Sequence, residues 1–341
     1  MKHTPYLKLF AIASVLCGPL LNAATTDPMG GMVIPIKGAS DTRISIPFSR
    51  GIVFEGRIDS LSGSTITALG TPAWADDQFI YGDADSLDPA NTYYMVFLTG
   101  PKEGLALEIT ANDASSITVA LGNENLTGVQ SESVDGAGNG DVFQIIPYWT
   151  PASLFASATL PDQTQILVYD NSTINTFKAP EVYTYFDASS NWGDTSFNLV
   201  NDAIIYPGEG LIVKTPPASS DLSLTVSGAV PMFQNRQVVA SDTSANDLFY
   251  GVYSPIDVTL GTSNLGIQDG TQILLYDNTA SGYFKAPEVY TYFAASENWG
   301  DTSFNLSNDV ILPAGGSFIL RKPSTGSNDS VEWTYLPNYL Q

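Results

Sequence analysis

The sequence predicts an all-β protein, on three observations. From residue 32 onward, short apolar or alternating runs recur between clusters of Gly, Pro, Asn, Asp and Ser, the pattern of strands joined by turns. No stretch shows the sustained 3.6-residue apolar repeat of an amphipathic helix. And one segment is written twice: residues 162–216 recur at 269–323, 107 residues on and without a gap, with more than half of the positions identical. A duplication of that length fixes a modular plan. The expected architecture is an N-terminal small β-barrel or sandwich followed by two tandem homologous β-sandwich-like modules. The expected divisions are a signal peptide at 1–23, an N-terminal β-domain at 24–149, module one at 150–232, a joining segment at 233–246 and module two at 247–341.

The first residues read as an export signal. Lys2 and Lys8 flank the start of an apolar run at 9–21 that ends in small residues, with cleavage after Ala23 or Ala24. The run is short for a bilayer span. A lipoprotein reading would use Cys17, but Leu16 occupies the place where a small residue is needed. His3 is the only histidine and Cys17 the only cysteine, so the mature chain holds neither. Disulfides, His/Cys metal sites and Ser-His-Asp or Cys-His nucleophiles are thereby excluded from it. All 35 acidic residues lie beyond the signal, against 11 basic ones once Lys2 and Lys8 are removed from the 13. Such a field repels phosphate backbones, so no nucleic-acid partner is expected. No second apolar run of spanning length follows, so the expected localisation is extracellular, cell-surface or periplasmic.

Within the N-terminal domain, residues 43–48 alternate, 52–58 and 65–69 form a hairpin about the Ser/Gly turn at 60–64, and 93–98, 105–110, 116–121 and 142–146 add further strands. The series SDTRISIPF, GRIDSLSGSTIT, NTYYMVFLTGPKEGLALEITAN and GDVFQIIPYWTPASLF, with the downstream Trp-Gly and Asn-Asp segments, resembles a family of secreted bacterial all-β proteins with no known activity. The resemblance covers most of the mature chain and implies export and β-structure; it brings no catalytic residue.

In the modules, strands at 165–169 and 272–276 each end in an Asp-Asn turn, Asp170-Asn171 and Asp277-Asn278. Residues 181–186 alternate, with Tyr183 and Tyr185 on one face. Gly-rich turns at 207–210 and 313–316 precede apolar strands, the final strands fall at 222–226 and 331–335, and the joining segment is read as containing a strand at 237–240.

Four groups carry candidate chemistry. Lys178, Glu181, Asp194 and Asp202, repeated as Lys285, Glu288, Asp301 and Asp309, could serve a glycosidase, which needs only two carboxylates. Copying alone explains their identity, so turn-capping and solvated faces are the simpler reading. Glu209 against Gly316 and Asp187 against Ala294 mark places where the copies differ. Asp83, Asp85 and Asp88 form one acidic loop and Asp135, Asn139 and Asp141 another; closely spaced oxygens with Gly suit calcium, as do ordinary solvated turns. Tyr183, Tyr185 and Trp192, with Tyr290, Tyr292 and Trp299, could offer sugar-stacking platforms or plug the cores. The expected function is a non-enzymatic structural or adhesive protein of the exterior that binds extracellular polysaccharide or other surface proteins. The alternative is a secreted carbohydrate-active enzyme using paired carboxylates.

Overall fold

The computed structural model describes residues 28–80, 93–122 and 124–341. The expected signal peptide with Cys17, and the acidic loop with Asp83, Asp85 and Asp88, lie outside them. The chain opens with β1 (Met29–Ile36) and β2 (Asp41–Ser45). A closed barrel of six strands follows: β3 (Phe54–Ser62), β4 (Thr65–Ala68), β5 (Tyr93–Phe97), β6 (Ala106–Asn112), β7 (Ser116–Val119) and β8 (Val142–Pro147), in the order β3-β4-β7-β6-β5-β8. One-turn helix α1 (Glu132–Asp135) precedes β8, and α2 (Pro151–Leu154) follows it under a Thr150/Ser153 capping box. Period-two alternation turns Ile58, Ile66, Met95, Leu107, Ile109, Ile117, Phe143 and Ile145 into the barrel, where they fill the interior with Phe79. Among the described residues that interior is a packed core.

After the barrel come β9 (Gln165–Val168), β10 (Glu181–Phe186), β11 (Asn191–Gly193), β12 (Gly210–Lys214) and β13 (Leu222–Ala229). The second repeat contributes β14 (Asn235–Ser241), β15 (Asn246–Gly251), β16 (Val258–Thr259), β17 (Gln272–Leu275), β18 (Glu288–Phe293), β19 (Asn298–Gly300), β20 (Ile311–Leu312), β21 (Ser317–Lys322) and β22 (Asp329–Tyr335). Its main sheet runs β15-β21-β17-β18-β19, with β14 and β22 as a separate ribbon. The first repeat has the same plan, β11-β10-β9-β12-β2 with a β1-β13 ribbon.

The structure therefore moves two expected boundaries. β1 and β2 belong to the first repeat, not to an N-terminal domain: Ile34 stands opposite Leu224, and Ile44 opposite Leu211. Ile34, Ile36, Ile44, Ile46 and Phe48 complete a core with Ile166, Trp192, Leu211, Val213 and Val226. Likewise the joining segment at 233–246 is β14 and the start of β15, the opening strands of the second repeat. The barrel is an insertion. Trp149 bridges Ile205 as Val258 pairs with Leu312, and where the first repeat carries the barrel the second has only residues 252–257. An alternating strand records which face is buried but not which distant strand lies beside it, so pairing across an insertion leaves no local mark.

The two repeats face each other about a pseudo-dyad. Edge strand β15 of repeat two is held by the turn after β9: the Asn171 side chain donates to the Phe249 carbonyl at 3.1 Å and accepts from the Phe249 N–H at 2.8 Å. Edge strand β2 of repeat one is held by the equivalent turn after β17, with Asn278 donating to the Arg43 carbonyl at 2.6 Å and accepting from its N–H at 2.9 Å. Further reciprocal bonds follow: Asp247 N–H to the Asn175 carbonyl and Asp41 N–H to that of Gly282, then Gly251 N–H to Gly208 and Ser45 N–H to Gly315. Side chains obey the same dyad. Phe249 stacks flat on Tyr169 at 3.6 Å, and the Arg43 guanidinium lies 3.3 Å from the centre of the Tyr276 ring.

The barrel closes on both repeats. Tyr94, Val96, Ile146 and Tyr148 pack with Phe233 and Tyr253 of the second repeat, and Gln234 N–H donates to Glu103 at 3.0 Å. No helix among the described residues is long and apolar enough to cross a membrane.

Two expectations follow. A fragment of residues 150–232 lacks β1 and β2 and so half the wall of its core; it should show no cooperative thermal transition, and a sharp one would contradict the pairing. Asn278→Ala leaves the Arg43 N–H and carbonyl without partners, at about 1–3 kcal/mol for each group kept from water. The urea midpoint should fall with the slope of the transition unchanged; a shift worth less than ~0.5 kcal/mol would show that the clasp contributes little.

Candidate functional site

Each repeat carries a groove beside its Asp-Asn turn, next to the seam with the other repeat, and the chemistry of the two has diverged. The first, of about 380 Å³, is lined by the end of β9 and its turn (Val168 to Ser172), by Glu181 and Tyr183 of β10, and by Ile204, Tyr206 and Glu209 of the turn before β12. The second, of about 410 Å³, uses the matching Leu275 to Thr279 with Ile311, Pro313 and Gly316, and adds Val33, Ile34 and Pro35 of β1. Two substitutions set them apart: Tyr206 and Glu209 in the first stand where Pro313 and Gly316 stand in the second. The first groove is acidic and tyrosine-lined; the second is apolar.

Each side chain of the first groove has a definite anchor. Asp170 closes its own turn, accepting from the Ser172 N–H at 2.8 Å and from the Ser172 and Thr173 hydroxyls, both at 2.6 Å. Those hydrogen bonds hold its carboxyl below the usual range, so it stays ionised. Glu209 behaves in the opposite way. Burial pushes its carboxyl up to about 7, the Asn171 side chain that donates to it at 3.0 Å opposes the rise, and the nearby Asp170 charge adds to it. The same Asn171 amide grips β15, so one side chain serves both groove and clasp. The Tyr183 hydroxyl donates to Glu181.

Tyr206 is 44 % exposed. Its ring rests edge-on against buried Tyr148 at 5.4 Å, which packs on Tyr94 at 4.8 Å, whose hydroxyl lies 3.3 Å from that of Tyr253. The column runs from the groove along the outer wall of the barrel into repeat two, so the insertion backs the groove. Burial raises the hydroxyls of Tyr148, Tyr94 and Tyr253, which keeps these phenols neutral.

The residues expected from sequence are distributed otherwise than as two open platforms. Trp192 and Trp299 are 2 % exposed and plug the two cores. Tyr185 and Tyr292 lean on them at 5.4 Å with ring planes 55° and 52° apart, beside pockets of about 260 and 330 Å³. Gly266 lies directly on the Tyr292 ring. Tyr183 and Tyr290 are buried; Tyr183 edges the acidic groove, and Tyr290 donates to Glu288 at 2.5 Å. The reason is local: Tyr183 and Tyr185 share the inward side of β10, so the flat faces are spent on packing. Among the catalytic suspects, Asp194 and Asp301 cap their own turns, and Asp202 is buried. Of the calcium candidates, Asp141 accepts from Thr99 and the Gln130 N–H, Asp135 accepts from the Ser131 N–H, and Asn139 donates back to the Asp135 carbonyl. Their polar atoms are turned onto protein partners. Among the described residues no three carboxylate, histidine or cysteine groups converge on a common point.

Tyr206, Tyr148 and Asn171 were not singled out as site residues from sequence. The available signal was the set of positions where the copies differ, of which Glu209 against Gly316 and Tyr206 against Pro313 are two. Exposed rings are duplicated elsewhere, Phe177 with Phe284 and Phe197 with Phe304, each at least 77 % exposed. No family model, curated protein or solved structure matches the chain.

Glu209 makes stability depend on pH. Its folded value, about 7, lies above the ordinary 4.5, so the folded state holds a proton that the unfolded state has released. The benefit is complete below the unfolded value and is lost as pH rises from about 4.5 through about 7. Glu209→Gln should therefore match the parent near pH 4 and exceed it by roughly 1–3 kcal/mol at pH 8, the shift being discounted for water in the groove. Parallel pH profiles of the two proteins would contradict the assignment.

Proposed function

We propose that this is an exported, non-enzymatic surface protein, structural or adhesive in role, that holds a polysaccharide in the first groove. The observation that carries this reading is the partly exposed Tyr206 ring, braced by buried Tyr148, in one groove with the carboxylates of Asp170 and Glu209 and the amide of Asn171. Sugar recognition needs that combination: a flat apolar surface for the ring's C–H face and planar acceptors and donors for its hydroxyls. The rigid pairing of the repeats and the braced insertion suit a protein that resists deformation while bound. The second groove keeps the Asp277-Asn278 turn but has Pro313 and Gly316 in place of Tyr206 and Glu209, so a single site per chain is expected.

The carbohydrate-active enzyme remains the second reading because of one observation, the protonatable Glu209 sharing a groove with Glu181. A carboxyl poised near neutrality is what a general acid requires.

Calorimetric titration with neutral hexose oligomers tests the first reading. Tyr206→Ala should weaken binding about tenfold, the worth of one aromatic contact, while Pro313→Ala at the equivalent place leaves it unchanged. Release of reducing ends that stops in Glu209→Gln would instead establish the enzyme. Equal affinity of parent and Tyr206→Ala would move the site elsewhere.

A further inference from the structure

We propose that the ligand of the first groove carries a protonated amine, as an amino sugar with a free amino group does, and that the ammonium seats on Glu209. The inference rests on the groove being the binding site and names the class of sugar it takes.

The argument begins with a carboxyl that the fold leaves half-served. Glu209 Oε1 accepts from Asn171, and among the described residues its Oε2 has no hydrogen-bond partner. An ionised carboxylate partly withdrawn from water gains from further donors or a counter-charge. Half-buried Glu209 receives no further donor from the described residues, and its one counter-charge, Lys178, acts without a hydrogen bond. Asp170 is a second anion and its oxygens are committed to Ser172 and Thr173. The other titratable groups around the groove are Glu181, which accepts from the Tyr183 hydroxyl, and Tyr148, Tyr206 and Tyr250, three neutral phenols. Lys178 is the nearby cation, but it does not line the groove and its Nζ makes no hydrogen bond to Glu209. A neutral ligand would leave this imbalance as it is. An acidic sugar would add a further negative charge to the groove. An ammonium cancels one, donates to Oε2, and gains from the Tyr206 face, since a cation near an aromatic ring is attracted to it.

The second groove is an internal control. It has the same backbone frame and the same Asp-Asn turn, yet it offers Pro313, Gly316, Val33 and Ile34 where the first offers Tyr206 and Glu209. The carboxylate is thus no by-product of the shared fold. The strongly negative chain, at −22 overall, also raises the local concentration of cationic ligands.

The test compares the β-1,4-linked glucosamine disaccharide with its N-acetylated counterpart by calorimetry at pH 7. The amine form should bind at least tenfold more tightly. Glu209→Gln should erase that preference, and exposed Asp187→Asn, which removes a charge elsewhere, should leave both affinities as they are. Tyr206→Ala should weaken both sugars. If the two disaccharides bind alike and Glu209→Gln is silent, the amine proposal is overturned and the glycan site stands. If Tyr206→Ala is silent as well, or neither sugar binds, the site itself is overturned. Should Glu209→Gln fail to fold, salt decides: the amine preference of the parent must shrink as ionic strength rises, and a salt-independent preference overturns the ion pair.

Discussion

Two asparagine side chains set the geometry on which the rest depends. A sheet edge exposes unpaired N–H and carbonyl groups, and proteins must cover or disrupt such edges. Here β2 and β15 are edges, and each is capped by the Asp-Asn turn of the opposite repeat. Asparagine is suited to this because one amide both donates and accepts, matching the two groups of a single strand residue. The aspartate before it fixes the turn through its own Ser/Thr bonds, as Asp170 and Asp277 both do. Because the contact is reciprocal, neither repeat is finished without the other. The duplication therefore made a paired body, and not two independent beads on a string.

Pairing by a pseudo-dyad leaves equivalent positions free to diverge, and the interface records that freedom. Phe249 on Tyr169 is an ordinary flat stack, while its partner across the dyad is Arg43 on Tyr276. Arg43 is 8 % exposed and its Nε and Nη1 find no hydrogen-bond acceptor. Burial lowers its pKa, with the ring and Asp41 working against that fall. A guanidinium tolerates such a place because its charge is delocalised and weakly hydrated, and its face packs as a plane. Lysine there would lose both advantages. The barrel insertion breaks the symmetry on a larger scale. It brings Tyr94 and Tyr148 to one side of the pair only, which is why only one groove can hold a tyrosine like Tyr206 against a buried aromatic wall.

Much of the fold was legible in the sequence because strand period and turn chemistry are local. The alternation at 181–186, the Asp-Asn turns and the Gly-rich turns at 207–210 and 313–316 all stand where the residues place them. What could not be read was pairing at a distance. Residues 43–48 alternate in the same way whether the neighbour is the next hairpin or strand β12, more than 160 residues on. The site was legible only in part for a related reason. Tyr183, Tyr185 and Trp192 are alike in composition to an exposed platform, yet the inward face of β10 commits them to packing. Their exposure depends on which sheet side meets the core, a tertiary fact. Glu209 against Gly316 reads in the sequence only as a place where the copies differ. In a duplicated protein such a place is informative: shared residues maintain the common frame, and a polar group present in one copy alone needs a reason of its own.

That reason is not stability. A carboxyl whose proton is retained to about pH 7 is one that the fold disfavours when ionised, and a glycine at the same turn position is accommodated in the second repeat without loss of the clasp. Glu209 is also coupled to the clasp itself, since its Asn171 partner carries the bonds to β15. Whatever neutralises or accepts the Glu209 charge thus acts next to the contact that joins the repeats. A cationic ligand would relieve the electrostatic cost at the interface while filling the groove, so that binding and cohesion of the pair reinforce each other. By linkage, a ligand that prefers the closed pair stabilises it by the same free energy with which the closed pair favours the ligand. The groove adjoins the seam through Asn171, so a ligand that seats on Glu209 would tighten the seam as it fills the groove.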